Sequence, residues 1–197
     1  MMKSTHIGEI VRSNTVRFSA VVPQALLQET SSPVKLGQLV KVATAHATVF
    51  GIVSFIEQSP IEAHRQIVPH GKTKEELRRE MPQVLELVHT EFTALTVGFY
   101  LGSKILQAMP PTPPDLHDFV YHASHDDVAA FLKNPPTFLR LILQSKDTSP
   151  DEVIVAFFRN YQAKLSRQDL IALGKELSYL LADDHRRLES ILTRIYD

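Results

Sequence analysis

Two stretches hold side chains in an order that could do chemistry. The first is "VPHGKTKEELRRE", residues 68–80, in which Gly71-Lys72-Thr73 are the letters that end a phosphate-binding loop. Such a loop, G-x-x-x-x-G-K-[ST], works because its glycines let several backbone N–H groups face the phosphates while the lysine reaches the outer ones. Here Gln66 stands where the first glycine belongs, and Pro69 removes one donor from the cradle. Thr73-x-x-Glu76 reads as a capping box, which gives Thr73 a structural use at the start of a short helix that Pro82 must stop. The expectation is a charged helical insertion near 60–82, between strands, that does not bind ATP.

The second stretch is "LHDFVYHASHDD", which gathers His117, His122, His125, Asp126 and Asp127. Imidazole and carboxylate together are a ligand set for transition metals, and a metal-dependent hydrolase built on residues 117–127 is one reading of them. The spacing favours a plainer one. Ser124-x-x-Asp127 resembles a capping box, which leaves His122 outside the helix it starts. Asp126 and Asp127 then occupy the first turn, where the helix dipole favours acids in any case. Nucleophilic catalysis has less support, since there is no G-x-S-x-G elbow and no cysteine. Glu75-Glu76 beside Arg78 and Arg79 reads as a solvated helix surface. Phe157, Phe158 and Tyr161 read as core rather than as a platform for stacked bases, because no basic track accompanies them. No catalytic, cofactor-binding or metal-ligating residue is assigned, and no cofactor is expected.

Two kinds of periodicity position these stretches. The first hundred residues read as strands. "IGEIVRSNTVRFSAVV" holds two apolar-polar runs around the turn signal Ser13-Asn14, which predicts a hairpin. "VKLGQLVKVATAHATVFGIVSFIEQ" and "LVHTEFTALTVGFYLG" add β-branched runs punctuated by Gly37, Gly51 and Gly102. Short strands at this spacing predict a sandwich or small barrel. Pro110, Pro111, Pro113 and Pro114 then break the chain, and the period turns helical. Helix starts are expected at Ser124, at Ser149-Pro150-Asp151-Glu152 and at Ser166-x-x-Asp169. The last stripe, Leu188, Ile191, Leu192 and Ile195, is either core of the helical part or an intersubunit contact. The expected class is α+β: an antiparallel barrel over 1–114 and a helical bundle over 115–197.

Charge and composition narrow the partners. The chain has 197 residues and a formal net charge of −1, so no global field draws it to nucleic acid or anionic lipid. Residues 1–110 carry 11 basic and 9 acidic side chains and residues 111–197 carry 10 and 13, and neither half shows the clustered basic stripe of a phosphate-neutralising surface. Direct nucleic-acid binding is not expected. The start, "MMKSTHIGEIV", lacks the apolar stretch of a signal peptide, and no later run could span a bilayer. The expectation is a soluble, cytoplasmic protein with no membrane partner.

Taken together, "IGEIVRSNTVRFSAVV", "VKLGQLVKVATAHATVFGIVSFIE" and "EELRREMPQVLELVHTEFTALTVGFYLG" resemble the HAS barrel. This is the small β-barrel shared by HerA-type DNA-translocating ATPases and the α and β subunits of ATP synthase. The resemblance covers roughly residues 6–132, with Gly8, Gly37, Gly51 and Gly98 where that pattern turns or packs closely. In HerA-like enzymes a motor domain with a true phosphate loop follows. Here "PPTFLRLILQSKDTSPDEVIVAFF" and helices stand in that place, so the ATPase activity does not carry over. What the resemblance implies is the barrel's role as a ring member and docking surface. The leading reading is thus a non-enzymatic assembly or adaptor protein, self-associating as a closed homo-oligomer or binding a motor ATPase or other barrel protein. An accessory subunit of a HerA-like DNA-processing ATPase is the alternative.

Overall fold

The computed structural model describes residues 6–29, 33–62, 66–133 and 135–196. Its strands are β1 (Gly8–Ser13), β2 (Arg17–Val21), β3 (Leu39–Ala43), β4 (Thr48–Pro60), β5 (Val88–Leu101), β6 (Lys104–Leu106) and β7 (Phe119–His122). Every pairing is antiparallel. The order β2-β1-β7-β3-β4-β5 closes through a β2–β5 pairing into a six-stranded barrel, and β6 extends β5 as a hairpin. Closure leaves none of the six barrel strands with an open edge. The predicted hairpin at Ser13-Asn14 is present: Asn14 Oδ1 accepts from the N–H groups of Val16 (2.9 Å) and Arg17 (3.0 Å).

Strand alternation divides the apolar residues between two sides of the wall. Ile10, Phe18, Ala20, Val40, Val42, Val53, Phe92, Ala94 and Val120 fill the barrel interior. Leu39, Phe50, Ile52, Leu95 and Val97 belong instead to a cluster shared with the helices that follow. These helices are α4 (His125–Leu132), α5 (Phe138–Leu143), α6 (Pro150–Tyr161), α7 (Arg167–Leu180) and α8 (His185–Tyr196), which come after the shorter α1 (Gln24–Glu29), α2 (Lys74–Glu80) and α3 (Pro82–Glu86). A chain of rings, Tyr100, Phe50, Phe131, Phe138, Phe157 and Tyr161, runs from barrel wall to helix core with centroids 5.1–5.5 Å apart, within the range of favourable aromatic pairs.

Polar contacts fix the same junction. The Leu39 N–H donates to the Tyr161 hydroxyl (2.9 Å) and Asn160 Nδ2 donates to the Leu36 carbonyl (2.7 Å). Gln107 Nε2 donates to the Phe131 carbonyl while its Oε1 accepts from the Phe138 N–H. Between them Gly37, at φ 72°, lies against α6: a Cβ built there would fall 2.3 Å from the Phe157 nitrogen. Gly8, Gly51 and Gly98 likewise lie in close contact with rings or backbone.

The class is α+β with a closed barrel. Two expectations about its division need correction. Phe119–His122 lies beyond the expected boundary at Pro114, yet it is the barrel strand between β1 and β3, so the barrel continues to His122. The later helices also do not enclose a core apart from the barrel; their apolar faces and the outer face of β3–β5 form one cluster. The stripe on the last helix is part of it. Ile191 and Ile195 are buried, and Arg187 and Arg194 of α8 pair with Asp151 and Glu152 of α6. No helix among the described residues is long and apolar enough to cross a membrane.

Candidate functional site

Gly71-Lys72-Thr73 lies in the segment that joins β4 to β5, outside the barrel. Thr73 is the N-cap of α2, with its hydroxyl accepting from the Glu76 N–H and the Glu76 carboxylate accepting from the Thr73 N–H. Lys72 is engaged by Glu80 at 2.5 Å. Gly71 has φ 63° with open space around it, and Ile67, Val68 and most of α2 are exposed.

The five residues of 117–127 are not brought together. His117, at φ 71°, sits on the barrel wall with its Nδ1 2.6 Å from Glu9 Oε1. His122 faces the loop before β3. The Lys35 N–H donates to Gln38 Oε1, which turns the Gln38 amide so that its Nε2 donates to His122 Nδ1 at 2.8 Å. Burial pushes the His122 pKa below its ordinary value, opposed by a hydrogen bond to the Pro33 carbonyl. His125 and Asp126 are exposed in the first turn of α4, and Asp127 closes the Ser124 capping box. Among the described residues no group of three or more His, Cys, Asp or Glu side chains could hold a metal ion.

Asp127 has a second partner, Lys41 Nζ of β3 at 2.6 Å, so it ties α4 to the barrel. Burial alone would raise its pKa, but hydrogen bonds from Lys41 and Ser124 outweigh that and hold it below the usual value. The sign is that of a depressed carboxylate. Its contribution to stability is complete above 3.8 and is lost as pH falls through the lower folded-state value. Asp127→Asn is expected to cost about 1 kcal/mol at pH 7. The difference from the native protein should vanish in acid, as read from denaturant midpoints across pH.

Among the described residues, apolar side chains are exposed on the barrel wall opposite the helices, as Phe55 and Leu101 are elsewhere. α5 and α6 pack on β5 and β4, whereas the outward side of β1, β7 and the turn before β7 meets solvent. Val11, Leu116 and Phe119 are 42%, 56% and 44% exposed there. The two segments run side by side: Phe119 pairs with Glu9, and the His117 N–H donates to the Ile10 carbonyl at 2.9 Å. Val11 is the extra residue of a bulge, because Ile10 pairs with Ala20 and Arg12 with Ser19. The His6 ring lies 4.3 Å from that of Phe119. The polar rim is formed by Glu9, held by His117, and by Arg12, held by the buried carboxylate of Glu91.

No protein-family model matches the chain, and no curated protein matches it with significance. The candidate site thus rests on this wall, which reasoning from the sequence missed. The segment "LHDFVYH" carries no signal for it, because Leu116 and Phe119 are three residues apart and strict alternation would put them on opposite faces. Alternation marks two faces, but it does not say which of them a distant helix will cover.

Proposed function

We propose that the chain is a non-enzymatic assembly or adaptor protein that works through contacts on its barrel. The observation that carries this reading is the wall of β1 and β7, where Val11 and Phe119 are exposed, Leu116 is exposed in the turn before β7, and Glu9, His117 and Arg12 supply polar groups. Grouped apolar side chains inside a polar rim are the usual composition of a protein contact. Small barrels pack laterally in the proteins that "IGEIVRSNTVRFSAVV" and its companions resemble, which supports a barrel-to-barrel contact here. In this reading the helices brace one side of the barrel and leave the other for association.

The test compares two baits in the native cell, the natural chain and a Leu116→Asp, Phe119→Asp double variant, each cross-linked before capture. Both substitutions are on exposed positions, so circular dichroism of the variant should match the natural protein. A protein held by the natural chain and lost from the variant is the expected result, and a motor ATPase among the lost proteins would specify the accessory-subunit role. Equal capture by both baits would remove the wall from the function.

A further inference from the structure

We propose that the groove between the β5–β6 hairpin and helices α4 and α5 is a docking site for a short acidic peptide segment of a partner protein. In this arrangement an apolar side chain of the segment enters the groove and its carboxylates lie at the rim. The site is separate from the wall of β1 and β7 and does not rest on that reading. The groove encloses a cavity of about 700 Å³, within the range of ordinary ligand pockets. Tyr100, Ile105, Leu106, Ala130 and Pro135 supply its apolar lining. Leu101 and Met109, on the same stretch of chain, extend the exposed apolar surface beyond it.

Charge points to the kind of occupant. Lys104 joins the lining from β6 and Lys133 from the C-cap of α4, so strand and helix each contribute an ammonium group. Among the described residues no Asp or Glu lines the groove, and neither lysine has an ion pair. Lys41 and Lys72, by contrast, are held by Asp127 and Glu80. Two unmatched positive charges beside apolar surface complement a segment in which carboxylates flank a leucine or phenylalanine. The other polar side chains favour a peptide over a small molecule. Gln107 Nε2 donates to the Phe131 carbonyl (2.8 Å), and its Oε1 accepts from the Phe138 N–H (3.0 Å) and the Thr137 hydroxyl (3.2 Å). These groups are spent on the fold, whereas a small-molecule site needs fixed polar groups that set orientation. Lysine is a point charge on a flexible stem, able to follow a carboxylate on a pliable chain. Two lysines without a basic track are too few to hold a nucleic-acid backbone.

The test pans a random peptide library against the natural protein and measures the selected peptides by fluorescence anisotropy. Their sequences should be enriched in Asp and Glu around a leucine or phenylalanine, and added salt should weaken their binding. A Lys104→Glu, Lys133→Glu double variant should weaken it by more than about tenfold. Both lysines are exposed, so the melting curve of that variant should match the natural one. Lys164→Glu with Lys175→Glu, exposed positions outside the groove, makes the same change in net charge and should leave binding within about twofold. Equal loss in both double variants would assign binding to net charge and overturn the site. Selected peptides without acidic enrichment, or binding untouched by Lys104→Glu, Lys133→Glu, would also overturn it. Loss confined to the Leu116→Asp, Phe119→Asp variant would move the contact to the wall of β1 and β7. No selected peptide, but a fluorescent fatty acid bound in dependence on both lysines, would replace the peptide by a small amphiphile. No binder of either kind would remove the docking site and leave the wall to be judged by its own capture test.

Discussion

A chain ended at Pro114 is expected to unfold rather than to leave a free barrel. The cut falls before β7, which bonds to β1 on one side and β3 on the other. Without it both neighbours present bare ladders, and the barrel cannot close. The cut also removes the helices from Leu39, Phe50, Ile52, Leu95 and Val97. Re-exposing a large apolar side chain costs about 1.5–3 kcal/mol, and five of them together match the whole stability of an ordinary domain, about 5–15 kcal/mol. Far-ultraviolet circular dichroism should show a mostly irregular chain with no cooperative melt. A cooperative β-type transition from that fragment would mean that the strands close without β7 and that the shared core is dispensable.

Gly37→Ala is expected to be among the most damaging single substitutions of a small residue. The backbone at Gly37 has φ 72°, where a Cβ is already unfavourable. The added carbon would stand 2.3 Å from the Phe157 nitrogen and 2.5 Å from the Ala156 carbonyl carbon, both backbone atoms of α6. A side chain could rotate away, but a helix backbone cannot. Relief requires α6 to move off the barrel, which would pull on the Asn160 bond to Leu36 and the Tyr161 bond to Leu39. A loss of about 3–5 kcal/mol follows from combined strain and overpacking, or roughly 10 °C in melting temperature for a chain of this size. Two other glycines calibrate it. Gly71→Ala meets no neighbour and carries only the cost of its φ of 63°, about 1 kcal/mol. Gly174→Ala has open space at an ordinary φ within α7 and should stabilise by up to about 1 kcal/mol. Equal melting temperatures for Gly37→Ala and Gly71→Ala would contradict the close approach of α6.

Local chemistry was the legible part of this fold. Thr73, Ser124 and Ser166 form the capping boxes that their spacing to Glu76, Asp127 and Asp169 implied. Asn14 makes its turn, and Pro150 begins α6, although the Ser149 hydroxyl makes no cap bond. These signals act within four residues, so the sequence carries them directly. The boundary was misread because proline marks only where regular hydrogen bonding stops. Pro110 and Pro114 are buried as the chain returns to the barrel, and the four-residue β7 is too short to show a period. Sharing of the core was hidden for a related reason. Leu39 and Ile52 look like any inward strand residues until α5 and α6 cover them from a hundred positions away. The histidines were singled out by type, and type alone does not bring His117, His122 and Asp127 to one point. The wall at Val11, Leu116 and Phe119 shows only once the helices have chosen the other side.

The strand order also sets a sequence of events during synthesis. Chains are made from the N-terminus, and β1 emerges before the other barrel strands, but Glu9 finds its partner Phe119 only after 110 further residues have been added. β3 waits for the same strand, and β2 waits for β5, since Arg17 pairs with Leu95. Until residue 122 is out, the nascent chain holds at most five of the six barrel strands, with β1 and β3 as open edges of one gap, and its Leu39 and Ile52 face remains bare until α6 arrives. Long-range pairing of this kind slows folding and prolongs exposure to other chains. The yield of the newborn protein should therefore fall most steeply where synthesis is fast and unpaired strands are left unshielded.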